Sequence, residues 1–337
     1  MVKYIRINTL SIDGNQQLLK IKDGYKFDGD GTLQHPIIIK YVRAEYGIFL
    51  SNITLHVIIE NCITKQIQID TTYNCIIRHN YILPSPPDEQ FAYRSEKVGM
   101  VIQHSTNCVI YDNVIIHGSI GLQLKHSDKC MVVANIIADC REEILEYSQS
   151  HNTIILHNTF YNSNDMGIYL SLTDIQPGIE LYTMVYNNAV INCKYGISVS
   201  DTALPSVIAY NFVYCNRQFD DFFLGVSGVA LPADIRIYVN IRPYLIYNNY
   251  LLSDLCNIWV WRSSRSPITI AIAYNVCASR SYIDITKHTV SYLHSGITTI
   301  LYDVKGTGKF TMLSTYNKVS RKEQLKQLKQ YEHPLPS

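Results

Sequence analysis

Several things are scarce in this chain, and each scarcity removes a class of explanation. Among 337 residues there are only 16 Gly and 11 Pro, too few for a collagenous or low-complexity chain. No apolar run reaches the eighteen or so residues of a membrane-spanning helix. The start, Met1-Val-Lys-Tyr-Ile-Arg-Ile-Asn, lacks the apolar stretch and small-residue cleavage site of a secretion signal. An excess of either charge is also missing, with 29 Lys and Arg against 28 Asp and Glu, so no overall field favours a polyanion. With no RNA-binding or zinc motif either, nucleic acid and membrane are not expected partners. The nine cysteines include no CxxC pair and the histidines no HxH or HExxH pair, which leaves no metal motif.

What is abundant is Tyr, at 26 residues, together with Ile, Val and Asn, a mixture suited to pleated, stacked strands. Between residues 101 and 158 three similar phrases follow one another: Cys108-Val-Ile-Tyr-Asp-Asn113, Cys130-Met-Val-Val-Ala-Asn135 and Asn152-Thr-Ile-Ile-Leu-His-Asn158. The asparagines fall 22 and 23 residues apart (135 minus 113, 158 minus 135). A period of that size in strand-forming sequence marks a solenoid whose turns bury their apolar faces only by stacking. Extending the pattern gives Asn61, Asn80, Asn113, Asn135, Asn158, Asn188, Asn211, Asn249 and Asn275 as rungs of one ladder. A side-chain amide both donates and accepts, so a buried column of them can satisfy itself. Cys75, Cys108 and Cys130 each precede a rung by five residues and are expected as stacked, buried free thiols.

A second strand follows each rung: Gly121-Leu-Gln-Leu, Glu143-Ile-Leu-Glu, Gly167-Ile-Tyr-Leu, Gly196-Ile-Ser-Val, Asn257-Ile-Trp-Val and Tyr282-Ile-Asp-Ile. Alternation places Gln123, Tyr169, Ser198, Trp259 and Asp284 outward, with either Leu145 or Glu146 from the Glu143 coil. Longer intervals between rungs locate loops at 83–98, around 171–178 and at 216–243. Residues 1–36 read as an N-terminal cap in which Leu18-Leu-Lys-Ile-Lys is a strand, 37–318 as the solenoid, and 319–337 as a short C-terminal helix and tail. The turn cluster Asp28-Gly-Asp-Gly31 lacks the further ligands of a calcium loop.

The asparagine-centred units and the Gly-Ile-x-Leu strands together resemble the right-handed parallel β-helix proteins of the pectin lyase-like class. The resemblance covers about residues 37–317 and implies an all-β, single-stranded solenoid of about 9–11 coils with an Asn ladder. Its sparse Lys and plentiful Ile, Tyr and Asn also look like a viral member. That fold serves lyases, hydrolases, tailspikes and adhesins, so function rests on the outer face. The aromatic and guanidinium set Tyr169, Trp259, Trp261, Arg262 and Arg265 is suited to stacking on sugars and gripping their carboxylates.

The acids Glu143, Glu146, Asp165 and Asp284 are the catalytic candidates, with Glu142, Glu143 and Glu146 expected one coil from Asp165 and near Lys125 and His126. No paired acids occupy neighbouring outward positions, which favours a non-catalytic, glycan-recognising or attachment role. The alternative is a lyase or glycoside hydrolase acting on an acidic polysaccharide, the one case that would call for calcium; otherwise no cofactor is expected. The expected partner is a polysaccharide or cell-surface glycan, in a homo-oligomer, with the chain cytoplasmic or virion-associated.

Overall fold

A computed structural model describes residues 3–84, 98–142, 145–148, 150–171, 183–200, 206–215, 233–239, 244–253, 256–262, 268–273, 276–278, 282–284, 297–302 and 305–306. The described strands are almost all parallel and wind into a three-faced β-helix. The first face is an 11-stranded sheet whose order follows the chain, from Ile37–Lys40 and Val57–Glu60 to Ile297–Tyr302. The second and third faces join as one 19-stranded sheet, because long strands such as Val42–Ser51, Thr159–Ser171 and Ala189–Ser200 run from one face into the other. Parallel crossovers of this kind take the right-handed sense.

The reason for stacking is visible on the first face. Ile39, Ile59, Ile77, Ile110, Val132, Ile155, Val185, Ile208 and Ile246 are register partners in successive coils, and all are fully buried. One coil alone would leave these side chains in water; each becomes buried only between its two neighbours. Full burial of such a side chain is worth about 1.5–3 kcal/mol, and β-branched shapes fill a pleated column without loss of rotamer freedom.

Corners are cut by single left-handed residues. Tyr41, Asn61, His79, Asp112, Ala134, His157, Asn187, Tyr210 and Asn248 all have φ between 51° and 57°, one per coil, where the first face turns into the second. Four of those nine are Asn or Asp, which tolerate this conformation readily; at Tyr41, His79, Ala134, His157 and Tyr210 the stacked hydrogen bonds on either side hold the turn. At the N-terminus Gly29 is needed for another reason. It has φ +96°, and an added Cβ would lie 1.9 Å from the carbonyl oxygen of Pro36. Gly29→Ala is expected to lower stability by about 1–3 kcal/mol, measured by urea denaturation; an unchanged midpoint would contradict the packing described.

The cap differs from the sequence expectation in two respects. Leu18-Leu-Lys-Ile-Lys lies in a helix, Gly14–Tyr25, not a strand. Leu18 is fully buried and Ile21 packs against the core, a spacing of three that suits a helix resting on the open end of the solenoid. The Asp13 amide donates to Gln17 Oε1 at 2.6 Å, and Asn15 ties the first turn to Thr54. Ile5–Asp13 pairs in parallel with Val42–Ser51, so the second and third faces begin at residue 5, before the boundary placed at 36. Around Asp28-Gly-Asp-Gly31 the Asp28 carboxylate takes Lys40 and Asp30 takes the Thr32 amide. The expected helix at 319–332 lies outside the described residues.

Candidate functional site

The ladder is built as a chain of amides. Asn80, Asn113, Asn135, Asn158, Asn188 and Asn211 each donate from Nδ2 to the Oδ1 of the next rung at 3.0–3.1 Å, ending on Asn249. Backbone amides of Asn80 to Asn211 add a second donor to each of those oxygens. Asn61 is not a rung: it is the left-handed turn residue, and Cys62 occupies the ladder position, its amide donating to Asn80 Oδ1 at 2.9 Å. Asn275 lies outside the described residues.

At another corner a hydroxyl column does similar work. The amides of Thr72, Ser105 and Ser127 donate to the hydroxyls of Ser105, Ser127 and Ser150, and all four residues are fully buried. The sequence reading missed it, although Ser105, Ser127 and Ser150 repeat at the same 22 and 23 residues as the asparagines. With both columns accounted for, the amides and hydroxyls are scaffold.

The third face carries the functional candidates. Its register resolves the ambiguous coil: Leu145 pairs with Leu122 and Ile168 and is fully buried, so Glu146 takes the alternate position beside Gln123 and Tyr169. One column therefore reads Gln68, Val101, Gln123, Glu146, Tyr169, Ser198, Arg236, Trp259, Asp284. Two residues further along each strand, Lys125, Ser148, Ser171, Ser200, Tyr238 and Trp261 form the companion column, and Arg262 ends the strand Cys256–Arg262.

Arg236 is the member that sequence reasoning missed, because composition assigned 216–243 to one loop. The structure places a strand, Ala233–Val239, inside it, and the alternation Ile235-Arg-Ile-Tyr was the available signal. Ser198 is 1% exposed, and its hydroxyl has no hydrogen-bond partner among the described residues. An unpaired buried hydroxyl costs about 1–3 kcal/mol, so a polar ligand group that reached it would recover that cost.

The candidate acids do not converge. Glu146 and Asp284 share the column but stand five rungs apart, roughly 24 Å at the strand spacing. Asp165 lies beside Ser163 at the bend between the second and third faces, one coil from the Glu142 carbonyl, which accepts from Met166 N and Ser163 Oγ. Lys125 pairs through Ser148 with Ser171, at the other end of the same strands. Asp165 and Lys125 are thus separated by the width of the face, about 20 Å, and the expected acid–base cluster is dispersed. Glu143 and Arg265 lie outside the described residues.

Histidines occur in separate local pairs: His79 with Asp112 at 2.9 Å, His104 with Asp70 at 3.1 Å and His151 with Asp128 at 2.9 Å. Cys62, Cys75, Cys108, Cys130 and Cys140 are buried thiols outside any disulfide, and Cys193 and Cys215 are buried as well. Burial pushes the Cys75 thiol up to about 12, as it does Cys62, and Cys130 is raised first by its hydrogen bond with Cys108 and then by burial. A protonated thiol is a poor metal ligand. No group of three or more His, Cys, Asp or Glu among the described residues is arranged to hold a metal ion.

Departures from the repeat flank this same face. The chain leaves the second face after Ile82 and returns to the third at Val98; it leaves again after Cys215 and returns at Ala233. After Ser171 it leaves the third face and returns to the first at Thr183. Insertions in a solenoid commonly border its binding face. No helix among the described residues is long and apolar enough to cross a membrane.

Comparison with known proteins bears on the fold. A family model described as "Periplasmic copper-binding protein (NosD)" matches residues 26–258. Among solved structures, a double mutant of the periplasmic alginate epimerase AlgG is similar at a TM-score of 0.51 and 11% identity, over 91% of this chain and 85% of that one. The A-module of the mannuronan C-5 epimerase AlgE4 from Azotobacter vinelandii is similar at 0.50 and 10% identity, over 94% and 90%. DFA-IIIase from Arthrobacter chlorophenolicus A6 without its lid is similar at 0.47 and 10% identity, over 91% and 99%. No curated protein matches the chain. At these identities the likeness is one of fold.

Proposed function

The chain belongs to the NosD family of parallel β-helix proteins, and from that premise we propose that it recognises an acidic glycan along its third face without cleaving it. The observation that carries this reading is the register column that holds Tyr169, Arg236 and Trp259, with Tyr238 and Trp261 beside it. Aromatic rings stack on the apolar faces of sugars, and guanidinium groups take carboxylates in a bidentate fork. Candidate contacts spread over four coils at about 4.8 Å per coil suit an extended chain of sugars better than a single small molecule. Two solved proteins of this fold are named as epimerases of alginate and mannuronan, which makes a uronate polymer a reasonable first probe.

Hydrolysis by paired carboxylates needs them about 5–10 Å apart, whereas Glu146 and Asp284 are separated by five coils. The donor set of the described residues does not fit the copper in the family's description, since no three-donor group is assembled and the buried thiols keep their protons. No step here passes through a metal. The family description reads periplasmic, which does not fit a cytoplasmic placement and agrees better with a protein acting outside the cytoplasm.

Trp259→Ala is expected to weaken binding of uronate oligosaccharides about 10-fold, an energy typical of a lost stacking platform. The assay is glycan-array screening followed by calorimetry, with the same oligosaccharides checked for new reducing ends or unsaturated products. Turnover abolished by Glu146→Gln would replace this reading with the enzymatic one.

A further inference from the structure

Away from the third-face column, at the start of the second face, lies a groove of about 710 Å³ lined by Arg6, Arg43, Glu45, Thr64, Lys65 and Leu83, among others. Arg6 and Arg43 are direct register partners on adjacent parallel strands. Like charges placed opposite each other on one sheet repel, and such pairs are ordinarily separated or neutralised. Here neither arginine makes an ion pair or side-chain hydrogen bond among the described residues, and both are exposed. The nearest acid of the groove, Glu45, follows Arg43 by two positions and makes no ion pair with it. Lys65 lies 5.6 Å over the Tyr46 ring, which holds its ammonium at the rim and leaves its charge available. Three cations against one carboxylate give the groove a local net charge of +2, on a chain whose total is only +1.

We propose that this groove is a binding site for a phosphate or sulfate ester. Two guanidinium forks side by side match a tetrahedral oxyanion, whose three terminal oxygens point in three directions and engage both forks, more fully than the two coplanar oxygens of a carboxylate. The groove is much larger than the anion, so the ligand carries an organic body. That body lies toward Ile63 and Tyr81, which continue the Arg6–Arg43 column in the next two coils, and toward Leu83. A hydroxylated or sugar-sized group suits this mixed lining. The site is independent of the glycan reading, since the third-face residues from Glu146 onward lie several coils further along.

The test is calorimetric titration of the full chain at low salt with glucose 6-sulfate, glucose 6-phosphate, inorganic sulfate and glucuronate. The esters are expected to bind, with inorganic sulfate weaker and glucuronate weakest. Each of Arg6→Gln and Arg43→Gln should weaken the esters about 10-fold or more, the usual loss for a charge-assisted pair. Both variants should unfold at or above the wild-type midpoint without ligand, because each relieves the repulsion; that readout separates lost binding from lost folding. Trp259→Ala should leave ester affinity unchanged. Ester binding unaffected by both arginine variants, glucuronate binding as tightly as the esters, or no binding by any probe would each overturn the assignment.

Discussion

Above pH 9 the protein is expected to lose stability steeply, and the cause is its buried cysteines. Cys62 and Cys75 are buried without an anion-stabilising partner strong enough to offset desolvation, and each thiol is pushed up to about 12 from the ordinary 9.0. A group whose folded pKa is raised contributes its full stability below its unfolded pKa and loses it as pH rises toward the folded value. Between pH 9 and 12 the unfolded chain releases these protons while the folded chain keeps them. Each thiol therefore removes about 1.4 kcal/mol per pH unit, or about 4 kcal/mol over the window.

The two thiols act in the same direction, so the loss over this window is a large fraction of an ordinary domain's stability. Cys130 and Cys140, also raised, act in the same direction. Urea unfolding followed at roughly pH 8, 9, 10 and 11 should show the decline. Cys75→Ala should make it shallower by about 1.4 kcal/mol per unit, while costing some stability at neutral pH through the lost packing. A slope identical to wild type would mean that Cys75 is not shielded from water in solution.

The second large effect is expected from Asn135→Ala. Asn135 Oδ1 accepts from both the backbone and side-chain nitrogens of Asn113, and its Nδ2 donates to Ile110 O, Val133 O and Asn158 Oδ1. Removing the amide leaves buried donors and acceptors unpaired on both adjoining coils. At about 1–3 kcal/mol per group, with partial relaxation, the loss should be about 3–5 kcal/mol by urea denaturation.

Two companion variants discriminate the cause. Asn135→Asp keeps an acceptor for Asn113 but turns a second oxygen toward the carbonyls of Ile110 and Val133, so its defect should lessen at acid pH, where the carboxyl gains a proton. Asn61→Ala touches only the turn position and should cost about 1 kcal/mol. Equal losses for Asn61→Ala and Asn135→Ala would remove the distinction between turn and rung.

The contrast between those two asparagines also shows what a sequence makes visible. A buried amide column demands the same side chain in every coil, so the period was plain; at the first rung a backbone amide alone meets the next oxygen, Cys62 suffices, and Asn61 one residue earlier imitates the pattern. The hydroxyl column was equally periodic but more easily overlooked, because Ser and Thr are common in turns for other reasons. In the cap, Leu18-Leu-Lys-Ile carries only one fully buried residue, too little for periodicity to separate helix from strand. Arg236 was hidden because its strand has neither the leading Gly nor a rung asparagine at the usual distance. The Arg6–Arg43 pair could not be read at all, since it depends on which residue of Ile5–Asp13 meets which residue of Val42–Ser51.

The amide and hydroxyl columns share one further property, a common sense of direction. From Asn80 to Asn211 each side-chain amide donates to the Oδ1 of the following rung and also to a carbonyl of the preceding coil, while the rung-to-rung bonds and the backbone amides of Thr72, Ser105 and Ser127 at the other corner all run toward the following coil. Hydrogen bonds aligned in series polarise one another, so each column behaves as a row of dipoles laid end to end. Within the described coils each column therefore has a sense, its rung oxygens facing the coil before and its rung-to-rung N–H groups the coil after, so no coil could enter the stack reversed without breaking the bonds to both of its neighbours.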